Sequence, residues 1–169
     1  MKQVSKKPGS PKEFLPLARK KYIAFCKPYF VLTQFTKEPG SSKTTLQEFG
    51  FPADVYPLGR LDYDSEGLLL LSDDGRLNQL LLNPKSGHWR SYLAQVEGIP
   101  DRHAVQRLNE GVLIEGRLSL PACVRLLEKE PDLFERPVPI RYRKSIPTAW
   151  LELKLREGKN RQVRRMTAA

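Results

Sequence analysis

A short polar segment near the middle of the chain concentrates the side chains best suited to acid–base or metal chemistry. Arg60, Asp62, Asp64 and Glu66 alternate with other residues between two glycines, and the apolar run Leu68 to Leu71 follows directly. Carboxylates beside a guanidinium can serve as general acid, general base, nucleophile or metal ligand. A loop that leads into a buried strand is a common place for catalytic groups, although a solvated polar turn explains the same spacing equally well.

Several other chemistries lack the residues that they need. The sequence has no glycine-rich phosphate loop and no Cys or His cluster, and its two histidines, His88 and His103, have no partners at ligand spacing. We therefore expect no metal site, and a nicotinamide, P-loop or zinc enzyme is not expected either. Cys26 and Cys123 lie among apolar neighbours, which predicts reduced core thiols rather than a disulfide.

The patterns around the polar segment predict the elements that hold it. Most of the predicted strands alternate apolar and polar residues, and on one of them Tyr92 shares a face with Ala94 and Val96. This predicts an α+β domain with a mixed, mostly antiparallel central sheet flanked by helices. The predicted strands are 22–25, 30–35, 68–71, 91–97, 122–127 and 151–156, and the predicted helices are 44–49, 76–82, 101–111 and 161–169.

The positive charge lies mainly at the two ends of the chain. The formal net charge is +10, and residues 1–21 carry seven Lys or Arg against one Glu, whereas residues 154–169 carry six against one. A polyanionic partner fits this distribution. We expect residues 1–20 to form a flexible basic tail and residues 21–169 to form one catalytic domain. Because no apolar run approaches the roughly 20 residues that span a bilayer, we expect a cytoplasmic protein without a membrane partner.

Three segments together resemble one enzyme family. Residues 59–71 (GRLDYDSEGLLLL), followed by Asp73-Asp74-Gly75, resemble the signature segment of the pseudouridine synthases related to the small-subunit ribosomal enzyme. Lys27-Pro28 with residues 31–33 (VLT) is similar to the family's Lys-Pro-x-Gly-Val-type opening, and residues 157–166 (EGKNRQVRRM) are similar to its closing motif. The resemblance covers about residues 22–169. No segment resembles a separate S4-type RNA-binding domain, which makes the chain most similar to members that act on 23S ribosomal RNA.

The resemblance implies a fold, a reaction and three catalytic residues. It implies the pseudouridine synthase fold and the isomerisation of uridine to pseudouridine in ribosomal RNA, without a cofactor. Asp62 matches the catalytic aspartate, Tyr92 the active-site tyrosine, and Arg164 the basic residue that pairs with the aspartate. A guanidinium in contact would keep the carboxylate ionised and oriented, and a tyrosine offers a flat ring for the uracil together with a hydroxyl.

The resemblance also implies how the RNA is held. Arg60 is similar to the arginine that fills the gap left when the target base is rotated out of its stack, a movement that costs a few kcal/mol. Lys27, Arg161 and Arg165 are expected to bind the RNA as well. Ribosomal RNA is the expected partner, and we expect the protein to act as a monomer.

The family's pattern continues past Met166 with a glycine-containing turn and further sheet and helix, whereas this chain ends at Ala169. We therefore expect the catalytic domain to be truncated relative to the family. Two other functions stay open on the residues alone. One is a Mg²⁺-dependent nuclease that uses Asp62 and Asp64 as a metal-binding pair, and the other is a non-catalytic protein that binds ribosomal RNA or assists ribosome assembly.

Overall fold

The computed structural model describes residues 19–140 and 144–169, so nearly all of the predicted basic tail, residues 1–20, lies outside the described residues. Strands and short helices alternate along the described part of the chain. The strands are β1 (Tyr22–Lys27), β2 (Val31–Leu32), β3 (Thr44–Thr45), β4 (Tyr56–Pro57), β5 (Gly67–Ser72), β6 (Arg90–Glu97), β7 (Leu113–Ile114), β8 (Arg117–Leu118), β9 (Cys123–Leu126) and β10 (Thr148–Leu155). The α-helices are α1 (Gly75–Leu82), α2 (Arg102–Glu110) and α3 (Gln162–Ala168).

The first sheet joins the N-terminal strand to the strand that follows the polar segment. Its strand order is β1-β5-β4 and all its pairings are antiparallel, with Lys27 opposite Gly67 at one end and Tyr22 opposite Ser72 at the other. Leu69 and Leu71 point inward from β5 and form a core with Val31, Leu46 and Val55. The predicted apolar run is therefore the central strand of this sheet, and the polar segment ends at its edge.

The second sheet has the order β6-β10-β9 and is also antiparallel. The clean alternation predicted for 151–156 is confirmed, because Leu151, Leu153 and Leu155 are all buried while Lys154 is exposed. Tyr92, Ala94 and Val96 pack against the same core, which confirms the predicted face of β6. Helices α2 and α3 cover this core with buried side chains of Leu108 and Met166.

Local capping explains where two helices begin. The Asp74 carboxylate accepts a hydrogen bond from the Arg76 N–H at α1, and the Asp101 carboxylate accepts one from the Ala104 N–H at α2. The helices predicted at 76–82, 101–111 and 161–169 are confirmed within two residues at each end. The segment predicted as a helix at 44–49 instead contains β3 and a single 3₁₀ turn, Leu46–Phe49.

The α+β class and the mostly antiparallel pairing are confirmed, but the strands of the described residues form two three-stranded and two two-stranded sheets rather than one central sheet. The prediction of core thiols is wrong, because Cys26 and Cys123 are both exposed. Strand alternation is the reason: Cys26 lies on the outward face of β1, opposite the exposed Leu68. In the described ranges, the helices are all too short or too polar to cross a bilayer.

Candidate active site

The polar segment forms a loop between β4 and β5 that is fastened to the segment after β1. The Thr33 hydroxyl donates to the Leu61 carbonyl at 2.7 Å and accepts from the Leu61 N–H at 3.2 Å. The Phe30 N–H donates to the Tyr63 carbonyl at 2.9 Å. These hydrogen bonds fix the backbone on both sides of Asp62, so the position of its carboxylate is set by the framework of the first sheet.

Glycine is needed where this loop begins. Gly59 has a φ of +90°, a backbone conformation that is unfavourable for residues with a Cβ. A Cβ at this position would also lie 3.1 Å from Cδ2 of Leu82 in α1. The loop therefore passes close to the end of α1.

Asp64 connects the loop to the closing segment of the chain. Its two carboxylate oxygens each accept a hydrogen bond of 2.9 Å from the guanidinium of Arg161. One turn further along, the Arg164 guanidinium donates to the Asp64 carbonyl at 2.6 Å and lies 3.4 Å from Oδ2. The hydrogen bonds from Arg161 hold the pKa of Asp64 below its usual value. Two guanidiniums thus clamp one ionised carboxylate.

Asp62, two residues earlier, remains available for other chemistry. Its carboxylate makes no hydrogen bond or ion pair with the residues that the structure describes. The predicted ion pair between Arg164 and Asp62 is therefore not formed in this structure, because Arg161, just before α3, and Arg164, within it, both pair with Asp64. The charge of Asp62 nevertheless contributes to raising the pKa of Arg161, after the larger effect of Asp64. Asp62 lies within electrostatic reach of this arginine.

Tyr92 reaches the same site from the second sheet. It lies opposite Leu153 in the β6–β10 register, with its ring half-buried against the core. Burial raises the pKa of its hydroxyl, Arg90 lowers it, and the charge of Asp62 raises it further. The hydroxyl is therefore protonated at neutral pH and can donate a hydrogen bond near Asp62.

Lys27, at the end of β1, is fully buried. Its ammonium donates to the carbonyls of Pro28 at 3.0 Å and Val31 at 2.8 Å. Burial lowers the pKa of Lys27 to about 8, while the charges of Glu66, Asp62 and Asp64 act in the opposite direction. The RNA contact that the resemblance implied for Lys27 is not compatible with this position, because the side chain is fully buried. The ammonium instead places a buried positive charge within electrostatic reach of Asp62, Asp64 and Glu66.

The buried lysine leads to a pH-dependent prediction. Between about pH 8 and pH 10.5 the unfolded lysine keeps its proton while the folded one releases it, so the unfolded state binds more protons and stability rises with pH. Below pH 8 the buried charge costs up to roughly 3 kcal/mol. We expect the free energy of unfolding of the unaltered chain, measured in urea, to increase from pH 7.5 to pH 10 relative to Lys27→Met. A difference that stays constant over this range would contradict the assignment.

The other predicted RNA-binding residues lie in different surroundings. Arg60 is exposed beside Gly59. Arg165 pairs with Glu115 at 2.6 Å and also donates to the Asn160 side chain, whereas Arg161 is engaged by Asp64. RNA contacts by these three arginines remain predictions.

Sequence reasoning missed two features of the site. The pairing of Asp64 with Arg161 joins residues 97 positions apart, and no local sequence pattern predicts it. The burial of Lys27 did have a signal, because its position in the alternating strand YIAFCK places it on the inward face with Ile23 and Phe25. A strand pattern that ends on an inward lysine predicts a buried cation with internal partners.

Taken together, the site offers one free carboxylate, a protonated phenol and a clamped pair of guanidiniums. The carboxylate can act as nucleophile or base, the phenol can stack against or donate to a flat heterocycle, and the arginines can neutralise charge. In the part of the chain that the structure describes, no three His, Cys, Asp or Glu side chains are grouped to hold a metal ion.

The chain is similar to proteins named as ribosomal large subunit pseudouridine synthases. Three of these relatives show the range of sequence identity. A protein of Xanthomonas axonopodis pv. citri named ribosomal large subunit pseudouridine synthase E is 52% identical over 143 residues, which cover 85% of this chain and 75% of the relative. A protein of the same name from Vibrio vulnificus is 47% identical, covering 93% and 66%. Ribosomal large subunit pseudouridine synthase B of Bacillus subtilis is 34% identical, covering 88% and 55%.

The fold has a solved counterpart. A crystal structure of a pseudouridylate synthase superposes with a TM-score of 0.66 at 22% sequence identity, covering 90% of this chain and 58% of that one. The family model described as RNA pseudouridylate synthase matches residues 21–169. With a match over nearly the whole described chain, and relatives at about half identity, the chain belongs to the RNA pseudouridylate synthase family.

Proposed function

We propose that this chain isomerises uridine to pseudouridine in the RNA of the large ribosomal subunit, with Asp62 as the catalytic carboxylate. The observation that carries the proposal is the contrast between two neighbouring acids. Both oxygens of Asp64 are bound by Arg161, whereas Asp62 makes no ion pair with the described residues and lies near Tyr92. The large-subunit target is supported by the names of the relatives that are 34% to 52% identical.

The reaction requires a bond to break and another to form at the same sugar carbon. The bond from N1 of uracil to C1′ of ribose is cleaved, the base rotates, and C5 is joined to C1′. C5 loses a proton and N1 gains one, so there is no net redox change. Asp62 can add to the sugar, add to the base or take a proton from C2′, and each of these roles needs an ionised carboxylate that is not already paired.

The neighbouring residues support this carboxylate in distinct ways. We assign to Tyr92 the stacking of the rotated uracil and the donation of a hydrogen bond, since its hydroxyl is protonated at neutral pH. Arg164 and Arg161 hold the loop through Asp64 and place positive charge beside the reacting base. Arg60, exposed next to the loop, is placed to stack in the position that the uridine leaves.

The nuclease alternative finds no favourable observation. An Asp62–Asp64 metal pair would need oxygens of both acids, and those of Asp64 are occupied by Arg161. We further propose that the protein acts as a monomer in the cytoplasm. Light scattering on the purified protein, if it gave a dimer mass, would overturn the monomer assignment.

The function is tested by incubating the purified chain with in vitro transcribed 23S ribosomal RNA in the presence of EDTA. Pseudouridines are then located by carbodiimide modification and reverse transcription. We expect reverse-transcription stops at one or a few uridines, with the RNA intact. RNA cleavage that requires added Mg²⁺ would favour the nuclease, and binding without any pseudouridine would favour the non-catalytic protein.

A further inference from the structure

Three aromatic rings lie in contact beside the loop that carries Asp62. The ring of Phe30 lies 4.1 Å, centre to centre, from that of Tyr29 and 5.0 Å from that of Tyr63, against which it is stacked at an interplanar angle of 21°. Tyr63 directly follows Asp62, and its carbonyl accepts the Phe30 N–H. We refer to Tyr29, Phe30 and Tyr63 as the aromatic cluster.

Phe30 occupies its place at a conformational cost. Its φ is +60°, in the left-handed region that favours glycine. About 40% of the residue is exposed, so the ring is not there to complete a core. A large, exposed, flat side chain at a strained position beside a catalytic loop is typical of a ligand contact.

Positive charge lies at both sides of the cluster. The Lys43 ammonium lies over the Tyr63 ring, 5.0 Å from its centre, and the Arg136 guanidinium lies over the Tyr29 ring at 3.9 Å. Arg136 also pairs with Glu66 of the acidic loop at 3.1 Å. Aromatic rings flanked by cations are the usual means of holding unstacked nucleotides, because the bases stack on the rings and the phosphates meet the cations.

We infer that the aromatic cluster, with Phe30 as its exposed member, binds by stacking a nucleobase that flanks the uridine presented to Asp62. The inference rests on the proposed function, since it assumes an RNA strand that is opened at this loop. The ligand class is a single-stranded ribonucleotide base adjacent to the target. Tyr63 links the two events, because a base stacked on the cluster is held one residue away from the reacting carboxylate.

The test uses an eight-residue RNA of uridines with one 2-aminopurine, whose fluorescence falls when the base stacks. Phe30→Gly removes the ring and relieves the positive φ, whereas Phe30→Leu retains apolar bulk without a flat face. We expect both variants to bind this RNA about tenfold more weakly and to lose most of the quenching. Phe30→Trp keeps a flat ring and should therefore bind and quench like the unaltered chain. The control Tyr56→Ala removes an exposed ring at the opposite end of the first sheet and should leave binding unchanged.

Thermal unfolding of each variant shows that it is folded before binding is compared. The inference would be overturned if Phe30→Gly and Phe30→Leu left binding and quenching unchanged. It would also be overturned if Tyr56→Ala weakened binding as much as the Phe30 variants do, or if Phe30→Trp lost the quenching. In the 23S RNA assay the same two Phe30 variants should raise KM with little change in kcat. The short RNA reports binding without turnover. If the unaltered chain formed no pseudouridine, the proposed function would be overturned, but the fluorescence assay would still show whether a base stacks on the aromatic cluster.

Discussion

Replacing Asp62 with asparagine is expected to lower the rate of pseudouridine formation on 23S RNA by about 10⁴-fold, the upper range for a positioned acid or base. Asparagine has nearly the same shape but cannot act as a nucleophile or accept the proton. Binding to RNA should be retained or slightly tighter, because the change removes a negative charge near phosphates. Single-turnover kinetics and a filter-binding assay on the same RNA measure the two effects separately.

The matched control for this variant is Asp54→Asn. Asp54 is an exposed acid that pairs with Lys21 at 2.6 Å, at the end of the first sheet opposite the catalytic loop. Its substitution should leave the rate unchanged. A rate for Asp62→Asn that stays within tenfold of the unaltered chain would mean that another group carries the chemistry.

The second large effect is expected at Asp64, through the position of the loop rather than through contact with the substrate. Asp64→Asn removes the ionised partner of Arg161 and Arg164 and weakens the attachment of the loop to the closing segment. The hydrogen bond from Arg164 to the backbone carbonyl of residue 64 remains. A displacement of about 1 Å at a reacting group can reduce the rate about 10²-fold, and we expect a loss of kcat of this size. KM should change less, because the RNA-binding surface remains.

A double-mutant cycle separates this positioning role from a general loss of stability. Asp64→Ala and Arg161→Ala should each reduce kcat, and the double variant should be no worse than the more severe single one, because both remove the same interaction. The control is Glu115→Gln, which removes an exposed carboxylate that pairs with Arg165 of α3. This change should alter the free energy of unfolding by no more than about 1 kcal/mol. Fully additive losses in the cycle would contradict the clamp.

Much of the fold was predictable from alternation and capping residues. The period of two in 91–97 and 151–156 defined both the strands and their buried faces, since Tyr92 and Leu153 meet in register. The hairpin of β7 and β8 was missed. Its two strands have two residues each, and its turn consists of Glu115 and Gly116, both at positive φ. Such a turn favours Asn-Gly or Asp-Gly, so Glu-Gly gave no recognisable signal.

The sequence indicated which residues belong to the candidate site better than it indicated the contacts that they make. The family resemblance placed Asp62, Tyr92 and Arg164 in one site, and the structure brings their elements together. The partner of the arginines was not predictable, because the choice between Asp62 and Asp64 depends on where α3 lies relative to the loop. Likewise, lysine is usually exposed, so the general tendency outweighed the strand pattern that placed Lys27 inside.

The central claim is tested most directly by mapping pseudouridines in ribosomal RNA from cells that lack this protein, complemented with either the unaltered gene or the Asp62→Asn variant. We expect one or a few pseudouridines of 23S RNA to disappear in the deletion strain, to return with the unaltered protein, and to stay absent with the variant although it is produced at the same level. An unchanged pseudouridine map in the deletion strain, or full restoration by the variant, would contradict the account.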